Sequence, residues 1–199
     1  MSAVPNDAPL PGLTDPVGDA QRIFRRVLDA LAHPGRIVTL DAPARLPAGV
    51  LGRAAIGTAL ALLDFETAIW LDEAAGPVGP HLRFHCNCPL AVARDQAAFG
   101  LIGDPATLLP LDGFALGSES YPDRSATLVI EVEALDQHGP LRLSGPGIQD
   151  ETQLGVTGLR TEFWQERAVL APLFPCGLDL ILTCGDRLTA IPRTTTVEE

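Results

Sequence analysis

The sequence predicts a single α/β domain with a mixed β-sheet flanked by helices. In the first half of the chain, segments with the spacing of an amphipathic helix alternate with short strand-like runs. In the second half, closely spaced strand-like segments are separated by turn residues, which is typical of antiparallel pairs. A chain of 199 residues is long enough for one substantial core, and no repeat, low-complexity linker or charge block divides it.

Two helices are predicted in the first half. Residues 17–32 carry an apolar stripe with helical spacing, while arginines occupy the opposite face. Asp15 is a suitable N-cap with Pro16 at the first helical position, and His33-Pro34-Gly35 ends the helix because proline cannot continue it. The alanine- and leucine-rich residues 50–63 predict a second, buried helix.

Strands are predicted where β-branched, aromatic and leucine residues form short runs between turn residues. These runs are residues 36–40, 67–71, 82–86, 99–102, 126–134, 139–143, 180–183 and 188–191. We expect 126–134 and 139–143 to pair antiparallel, and the last two strands to form a hairpin around Gly185-Asp186. Residues 161–170 predict a further helix.

The domain organisation is simple. We expect a flexible N-terminal lead at residues 1–14, one domain at 15–196 and a loose tail at 197–199. Residues 1–16 contain neither a basic residue nor an apolar stretch, which favours a cytoplasmic protein without a secretory signal. The longest weakly polar run, residues 54–63, is far shorter than the roughly 20 residues that cross a bilayer, so no membrane association is predicted.

Charge and composition exclude several classes of function. The net charge of −11 disfavours a nucleic-acid partner, because phosphate backbones are bound through clustered positive charge. All 14 basic residues are arginine. The absence of lysine excludes a Schiff base to pyridoxal phosphate, the lysine of a P-loop and a lysine general base. The four cysteines are expected to be reduced thiols.

One segment concentrates metal-binding residue types, because His81, His85, Cys86 and Cys88 lie within eight residues. If the segment is a strand, its histidines and cysteines point to opposite faces. His81 and His85 would then lie about four rises of roughly 3.3 Å apart, too far to share a tetrahedral ion with bonds near 2 Å. We therefore predict no metal site, with a metal site as the alternative interpretation.

Standard catalytic signatures are absent from the sequence. The segment Gly145-Pro146-Gly147 is superficially like a phosphate-binding glycine loop, but Pro146 lacks the backbone N–H that such a loop needs, and Asp150 stands where a third glycine would be. A tight turn is the favoured interpretation. No G-x-S-x-G elbow, H-E-x-x-H motif or pair of C-x-x-C motifs is present. We predict no catalytic residue and no cofactor.

The candidate ligand-binding residues are Arg22, His85 and Arg193. Arginine side chains suit phosphate groups and carboxylates equally well, because the guanidinium group donates in a planar fork. Arg22 lies with Arg25 and Arg26 on the polar face of the first helix, where a solvated surface is the alternative interpretation. Arg94 is a similar isolated candidate.

Several sequence segments together resemble one known family. They are Pro16-Val-Gly-Asp-Ala-Gln-Arg-Ile-Phe-Arg25 with Ala32-His33-Pro34-Gly35, Leu82-Arg-Phe-His85, Ala126-Thr-Leu128, Leu143-Ser-Gly-Pro-Gly-Ile148, Phe174-Pro175 with Gly177-Leu-Asp-Leu-Ile-Leu182, and Ala190-Ile-Pro-Arg-Thr-Thr195. In this order they are similar to the H subunit of the phosphonate carbon-phosphorus lyase system, the PhnH family. The resemblance covers residues 15–196, and its last segment is the most specific.

This resemblance implies a subunit of the bacterial machinery that takes phosphorus from alkylphosphonates. With partner subunits, such a protein supports transfer of methylphosphonate to C1 of the ribose of ATP, which releases adenine and gives α-D-ribose 1-methylphosphonate 5-triphosphate. The implied partners are the G, I and J subunits, with L in the transfer step, and the isolated protein is expected to be a homodimer. The implied fold is similar to the large domain of pyridoxal-phosphate-dependent transferases, but a lysine-free chain cannot form the internal aldimine.

Three functions are compatible with the sequence. The first is a structural or regulatory subunit that docks on the I subunit and is inactive alone. The second is a small anion pocket in which His85, with Arg22 or Arg193, binds a nucleotide or phosphonate. The third is an independent nucleotide-binding transferase that uses the glycine turn at 145–147.

Overall fold

The computed structural model describes residues 10–41 and 49–199. Its helices are α1 (Pro16–Ala32), α2 (Arg53–Leu62), α3 (Gly79–Cys86) and α4 (Thr161–Leu170). Its strands are β1 (Val38–Thr39), β2 (Ile69–Leu71), β3 (Phe99–Ile102), β4 (Leu116–Ser118), β5 (Tyr121–Ser125), β6 (Thr127–Glu131), β7 (Ala134–Ser144), β8 (Thr152–Thr157), β9 (Asp179–Cys184), β10 (Arg187–Ile191) and β11 (Thr196–Glu198). The α/β class and the mixed sheet are confirmed.

A six-stranded mixed sheet forms the centre of the protein. Its strand order is β1-β10-β9-β6-β3-β2. Strands β2, β3, β6 and β9 are parallel, whereas β10 and β1 are added antiparallel at one side. A second, three-stranded sheet has the order β11-β7-β8, and β4 and β5 form a separate hairpin.

The central sheet is buried on both faces, and each face belongs to a different core. Helices α1, α2 and α3 cover one face. Strand β7, strand β8 and helix α4 cover the other. The alternation along β6 shows this division, since Val129 packs with the helices while Leu128 and Ile130 pack in the second core.

The prediction of the first helix is confirmed. Asp15 caps α1 by accepting a hydrogen bond from the backbone N–H of Gly18 at 3.1 Å, and Pro16 opens the helix. The stripe that contains Ile23 and Val27 is buried against α2 and the sheet. Helices α2 and α4, strand β3 and the β9–β10 hairpin also lie where the sequence predicts them.

The strand predicted at residues 82–86 is wrong, because these residues belong to helix α3. A proline, Pro80, stands in the first turn, and Asn87 ends the helix in the left-handed conformation with φ 54°. With eight residues, α3 is too short to show a clear amphipathic stripe. Only Gly79, His81 and Leu82 are buried on it.

The predicted pairing of residues 126–134 with 139–143 is also wrong. Strand β6 lies between β3 and β9, and β7 is one long strand that pairs with β8 instead. The loose tail is wrong as well, because Thr196–Glu198 form β11 and pair with β7. Both errors have the same cause: the three-stranded sheet contains β8 and β11, which the sequence does not predict.

The predicted N-terminal lead falls mostly on residues outside the described part of the chain. Among the described residues, none of the helices combines the length and the apolar character that a bilayer crossing requires.

A tight turn follows β7, as the sequence predicts. The backbone N–H of Ile148 donates to the carbonyl of Gly145 at 3.1 Å. Gly147 has a φ of 86°, and a Cβ atom at this position would overlap the carbonyl oxygen of Ala32 at the end of α1. The glycine is therefore required both by the backbone conformation and by the close approach of α1.

Alanine substitutions at Gly147 and Gly185 distinguish the requirement for the left-handed conformation from the requirement for space. Gly185 also has a positive φ, 63°, but the space around its Cβ position is open. Gly185→Ala should lower the free energy of unfolding by about 1 kcal/mol, because only the left-handed conformation is penalised. Gly147→Ala should lower it by about 3 kcal/mol or more, because a backbone overlap is added. Urea denaturation measures both, and equal losses would contradict the close packing of the turn on α1.

Candidate functional site

Arg22 lies on the exposed face of α1. Its guanidinium forms an ion pair with Asp19, one turn earlier. Together with Arg25 and Arg26 it lines an open groove of about 460 Å³ between α1 and β1, which also contains the carboxylates of Asp29 and Asp41. The groove therefore combines three arginines with two acidic residues rather than presenting positive charge alone.

Arg193 is engaged in structural contacts. Its Nε and one terminal nitrogen donate to the carboxylate of Asp179 at 3.2 and 2.5 Å. The other terminal nitrogen donates to the carbonyls of Pro122 and Pro175 at 2.9 and 3.3 Å. The side chain is 17% exposed. Its hydrogen-bonding capacity is used to hold three chain segments together.

His85 lies on α3 and contacts the N-terminal segment. Its Nε2 donates to the carbonyl oxygen of Leu10 at 2.9 Å, and its ring packs against Gly12. The structure does not bring His85 into contact with Arg22 or Arg193, so the three predicted ligand-binding residues do not form one site.

The distance predicted between His81 and His85 is wrong. On a helix they are four residues apart on one face, and their ring centroids are 4.5 Å apart. Burial, together with the neighbouring His85, lowers the pKa of His81, which is only 7% exposed. Among residues 10–41 and 49–199, no group of three or more histidine, cysteine or acidic side chains is arranged to hold a metal ion.

The neighbouring thiols are not activated. Burial raises the pKa of Cys86 to about 12 and also raises the pKa of Cys88. A thiol with such a pKa is protonated at neutral pH, and the thiolate is the form that attacks carbon or binds metal. The four cysteines are unpaired in the structure.

The sequence analysis missed two acidic residues at the carboxyl end of the parallel strands. Asp72 follows β2, is buried, and accepts hydrogen bonds from the backbone N–H groups of Ala75, Gly103 and Asp104 at 2.7 to 3.0 Å. Glu131 ends β6 and accepts from the hydroxyl of Thr183 at 2.7 Å and from a backbone N–H at 3.1 Å. The available signal was an acidic residue at the carboxyl end of each strand.

A cleft of about 500 Å³ opens at this edge of the sheet, where open α/β sheets generally bind ligands. Its lining includes the acidic residues Asp104, Glu131 and Glu133. Because Glu131 is already bonded to neighbouring groups, it fixes the loops around the cleft. An anionic ligand such as a triphosphate would meet like charge here.

Arg167 on α4 was also missed. It is 8% exposed, and one terminal nitrogen donates to the carbonyls of Pro192 and Thr195 at 2.8 and 2.9 Å. Burial lowers its pKa to about 10, so the guanidinium remains charged at neutral pH. A signal was available, because Arg167 lies one turn after the large apolar residues Phe163 and Trp164 and therefore on their face of the helix.

Comparison with known proteins shows the family to which the chain belongs. Residues 11–198 match the model of a family described as bacterial phosphonate metabolism protein (PhnH). The chain belongs to the PhnH family. The resemblance predicted from the sequence segments is therefore confirmed.

Two PhnH-like proteins show the extent of the similarity. The alpha-D-ribose 1-methylphosphonate 5-triphosphate synthase subunit PhnH of Rhizobium meliloti (strain 1021) is 39% identical over 186 residues, which cover 92% of each chain. A protein of Stutzerimonas stutzeri that carries the name C-P lyase subunit protein HtxG is 33% identical over 175 residues, which cover 88% of this chain and 84% of that protein.

The segments that carry the PhnH resemblance meet in the structure. The backbone N–H of Gly35 donates to the carbonyl of Ala190 at 3.2 Å, and Gly147 lies against Ala32. Arg193 holds Asp179 and Pro175 from another segment. In this chain, therefore, the last segment, 190–195, is a structural junction that holds two of the others.

Substitution of Arg193 tests whether it has this structural role. Arg193→Met should lower the free energy of unfolding by about 3 kcal/mol, because Asp179 is left without its partner in a poorly solvated place. Arg22→Met, the matched control, should change it by less than about 0.5 kcal/mol, because its ion pair is exposed. Chemical denaturation of both variants makes the comparison, and equal effects would contradict a structural role for Arg193.

His81 should make the stability of the fold depend on pH. Because its pKa in the folded state lies below the ordinary value near 6.5, the unfolded state binds the proton more readily. The contribution of neutral His81 to the free energy of unfolding is present above about pH 6.5. It is lost as the pH falls through the lower, folded-state pKa. Unfolding free energies between pH 7.5 and 5 should therefore fall less steeply for His81→Gln than for the unsubstituted protein.

The matched control for this comparison is His138→Gln, since His138 is exposed on β7. Its pH profile should run parallel to that of the unsubstituted protein. A parallel profile for His81→Gln as well would show that His81 has no depressed pKa.

Proposed function

We propose that this chain is a subunit of a carbon-phosphorus lyase complex in organic phosphonate catabolism and that it acts together with partner subunits. The proposal is carried by family membership and by 39% identity, over 92% of both chains, to a protein named as a subunit of alpha-D-ribose 1-methylphosphonate 5-triphosphate synthase. Identity of this extent along nearly the whole chain supports a shared role rather than a shared motif.

In the proposed reaction, methylphosphonate is joined to C1 of the ribose of ATP. An oxygen of the phosphonate forms a bond to C1 while the N-glycosidic bond breaks, and adenine leaves with the proton. The product is α-D-ribose 1-methylphosphonate 5-triphosphate. The role proposed for this chain in the reaction is structural or regulatory.

The side-chain contacts support a role of this kind. Arg22 pairs with Asp19, His85 is bonded to a backbone carbonyl, and Arg193 clamps Asp179. The candidate ligand-binding residues are thus separately engaged within the chain instead of converging on a substrate. The alternative, a small anion- or nucleotide-binding transferase with its own site, is favoured by one observation, the arginine-lined groove at α1.

The partners we propose are the G, I and J subunits, with L in the transfer step, and the isolated chain is proposed to form a homodimer in the cytoplasm. Exposed apolar side chains support protein contacts, since Val17, Phe24 and Leu28 form a stripe on α1 with exposures of 81%, 50% and 52%. A likeness to the large domain of pyridoxal-phosphate-dependent transferases is proposed for the fold, without the cofactor, because the chain has no lysine.

Subunit omission tests the proposal. The purified chain is combined with its G, I and L partners, and adenine release from ATP plus methylphosphonate is measured with one subunit left out at a time. We expect release from the full mixture and none when this chain is absent. Adenine release by this chain alone would support the transferase alternative, and undiminished release without it would contradict the proposed function.

A further inference from the structure

Strand β8 forms one end of the three-stranded sheet and is the longest edge strand among the described residues. It pairs with β7 on one side. The backbone groups of a strand point alternately to its two sides, so about half of those in β8 point away from β7. Within residues 10–41 and 49–199, the hydrogen bonds of Thr152–Thr157 run to β7 and to Glu133, which directly precedes β7, and to no other element. The outer edge of β8 therefore offers unused donors and acceptors.

The other edge strands are short or protected. Strands β1, β2 and β11 contain two, three and three residues. Ile69 of β2 is also bonded on its outer side, to the carbonyl of Pro89 and the N–H of Ala91 at 2.9 and 2.8 Å. Strand β5 carries a proline and two charged residues, which oppose pairing with a further strand. Strand β8, with the sequence Thr-Gln-Leu-Gly-Val-Thr, has no such protection and is the edge best suited to accept another strand.

The residues that flank β8 carry opposite charges. Asp150 and Glu151 precede the strand, Arg160 follows it, and all three side chains are exposed. In the described part of the chain none of the three forms an ion pair, and Arg160 donates from one terminal nitrogen to the carbonyl of Ala106. The strand therefore has an acidic end and a basic end. When two such strands pair antiparallel, the acidic end of each lies beside the basic end of the other, so the edge complements itself.

We propose that β8 pairs antiparallel with β8 of a second copy of this chain, about a two-fold axis near Gly155. Asp150 of each copy then lies opposite Arg160 of the other, and symmetry makes this contact twice. The two three-stranded sheets join into one continuous sheet. The inference rests on the homodimer in the proposed function and names its interface. Two chains with a net charge of −11 repel each other, so the charge pairs at the ends of the strand select the pairing and fix its register.

Charge reversal tests this pairing in the full chain, with sedimentation velocity over a range of protein concentrations as the measurement. Arg160→Glu should raise the dissociation constant of the dimer by about 10-fold or more, because like charges then face each other at both ends of the strand. The double variant Asp150→Arg with Glu151→Arg should do the same for the opposite charge. Arg83→Glu, the matched control at an exposed arginine on α3, should dimerise like the unsubstituted chain.

A mixture of the two charge-reversed proteins makes the test decisive. In a dimer that contains one copy of each, every acidic end again lies beside a basic end. The mixture should therefore dimerise with about the affinity of the unsubstituted chain, although neither protein does so alone. This recovery also shows that both variants are folded. Dimerisation of either variant alone at the original affinity, or no recovery in the mixture, overturns the inference.

Hydrogen exchange locates the interface without any substitution. When the protein concentration is raised through the dimerisation range, exchange of the backbone amides in residues 152–157 should slow, because the outward N–H groups gain acceptors on the second copy. Exchange in α1 should not change. Slowing that is confined to α1 would place the interface on the exposed stripe of Val17, Phe24 and Leu28 and overturn the pairing of β8.

The outcomes separate the inference from the proposed function. A chain that stays monomeric at all concentrations overturns the inference. If, in addition, exchange in residues 152–157 slows when the other subunits are added, the edge accepts a strand of a partner protein and the second copy is wrong. Adenine release in the subunit mixture tests the proposed function independently. Dimerisation through β8 with release undiminished in the absence of this chain supports the interface and contradicts the proposed function, whereas a required chain that does not dimerise does the reverse.

Discussion

The ion pair between Arg193 and Asp179 fixes the part of the chain on which the second core depends. Asp179 begins β9 and Arg193 follows β10, while the same guanidinium holds the carbonyls of Pro122 and Pro175. Segments that are distant in sequence therefore contact the same guanidinium group. These contacts fix the position of Arg193 and so the path of the connection between β10 and β11. This connection supplies the two carbonyls that anchor Arg167. The buried position of Arg167 thus depends on the same connection that the Arg193–Asp179 ion pair holds in place.

Elements whose signals are local were predictable from the sequence. Helix α1 has a long apolar stripe, an N-cap and a proline–glycine end, and the β9–β10 hairpin has a clear turn at Gly185. Helix α3 was not predictable in this way, because eight residues give too little periodicity and its aromatic and sulfur-containing residues favour strands. Strand β11 is stabilised only by its distant partner β7, which no local pattern can reveal.

The candidate site was less predictable than the fold, because the role of a charged residue depends on its partner in space. Arg193 was predicted to be a ligand-binding candidate, and its contact with Asp179, fourteen residues earlier, could not be read from the sequence. Arg167 was overlooked because a charged residue on a helix is normally exposed. Glu131 was overlooked for a related reason, since its structural role depends on hydrogen bonds to residues of another strand and loop, at the carboxyl end of the parallel strands.

The strand order has a consequence for the synthesis of the protein. Strand β1, near the start of the described chain, pairs within the described residues only with β10, and α1 also packs on β10. Because β10 spans Arg187–Ile191, the first helix and strand cannot join the central sheet until about 150 further residues after β1 have been synthesised. The apolar face of α1 can therefore be covered in full only after β10 has been synthesised.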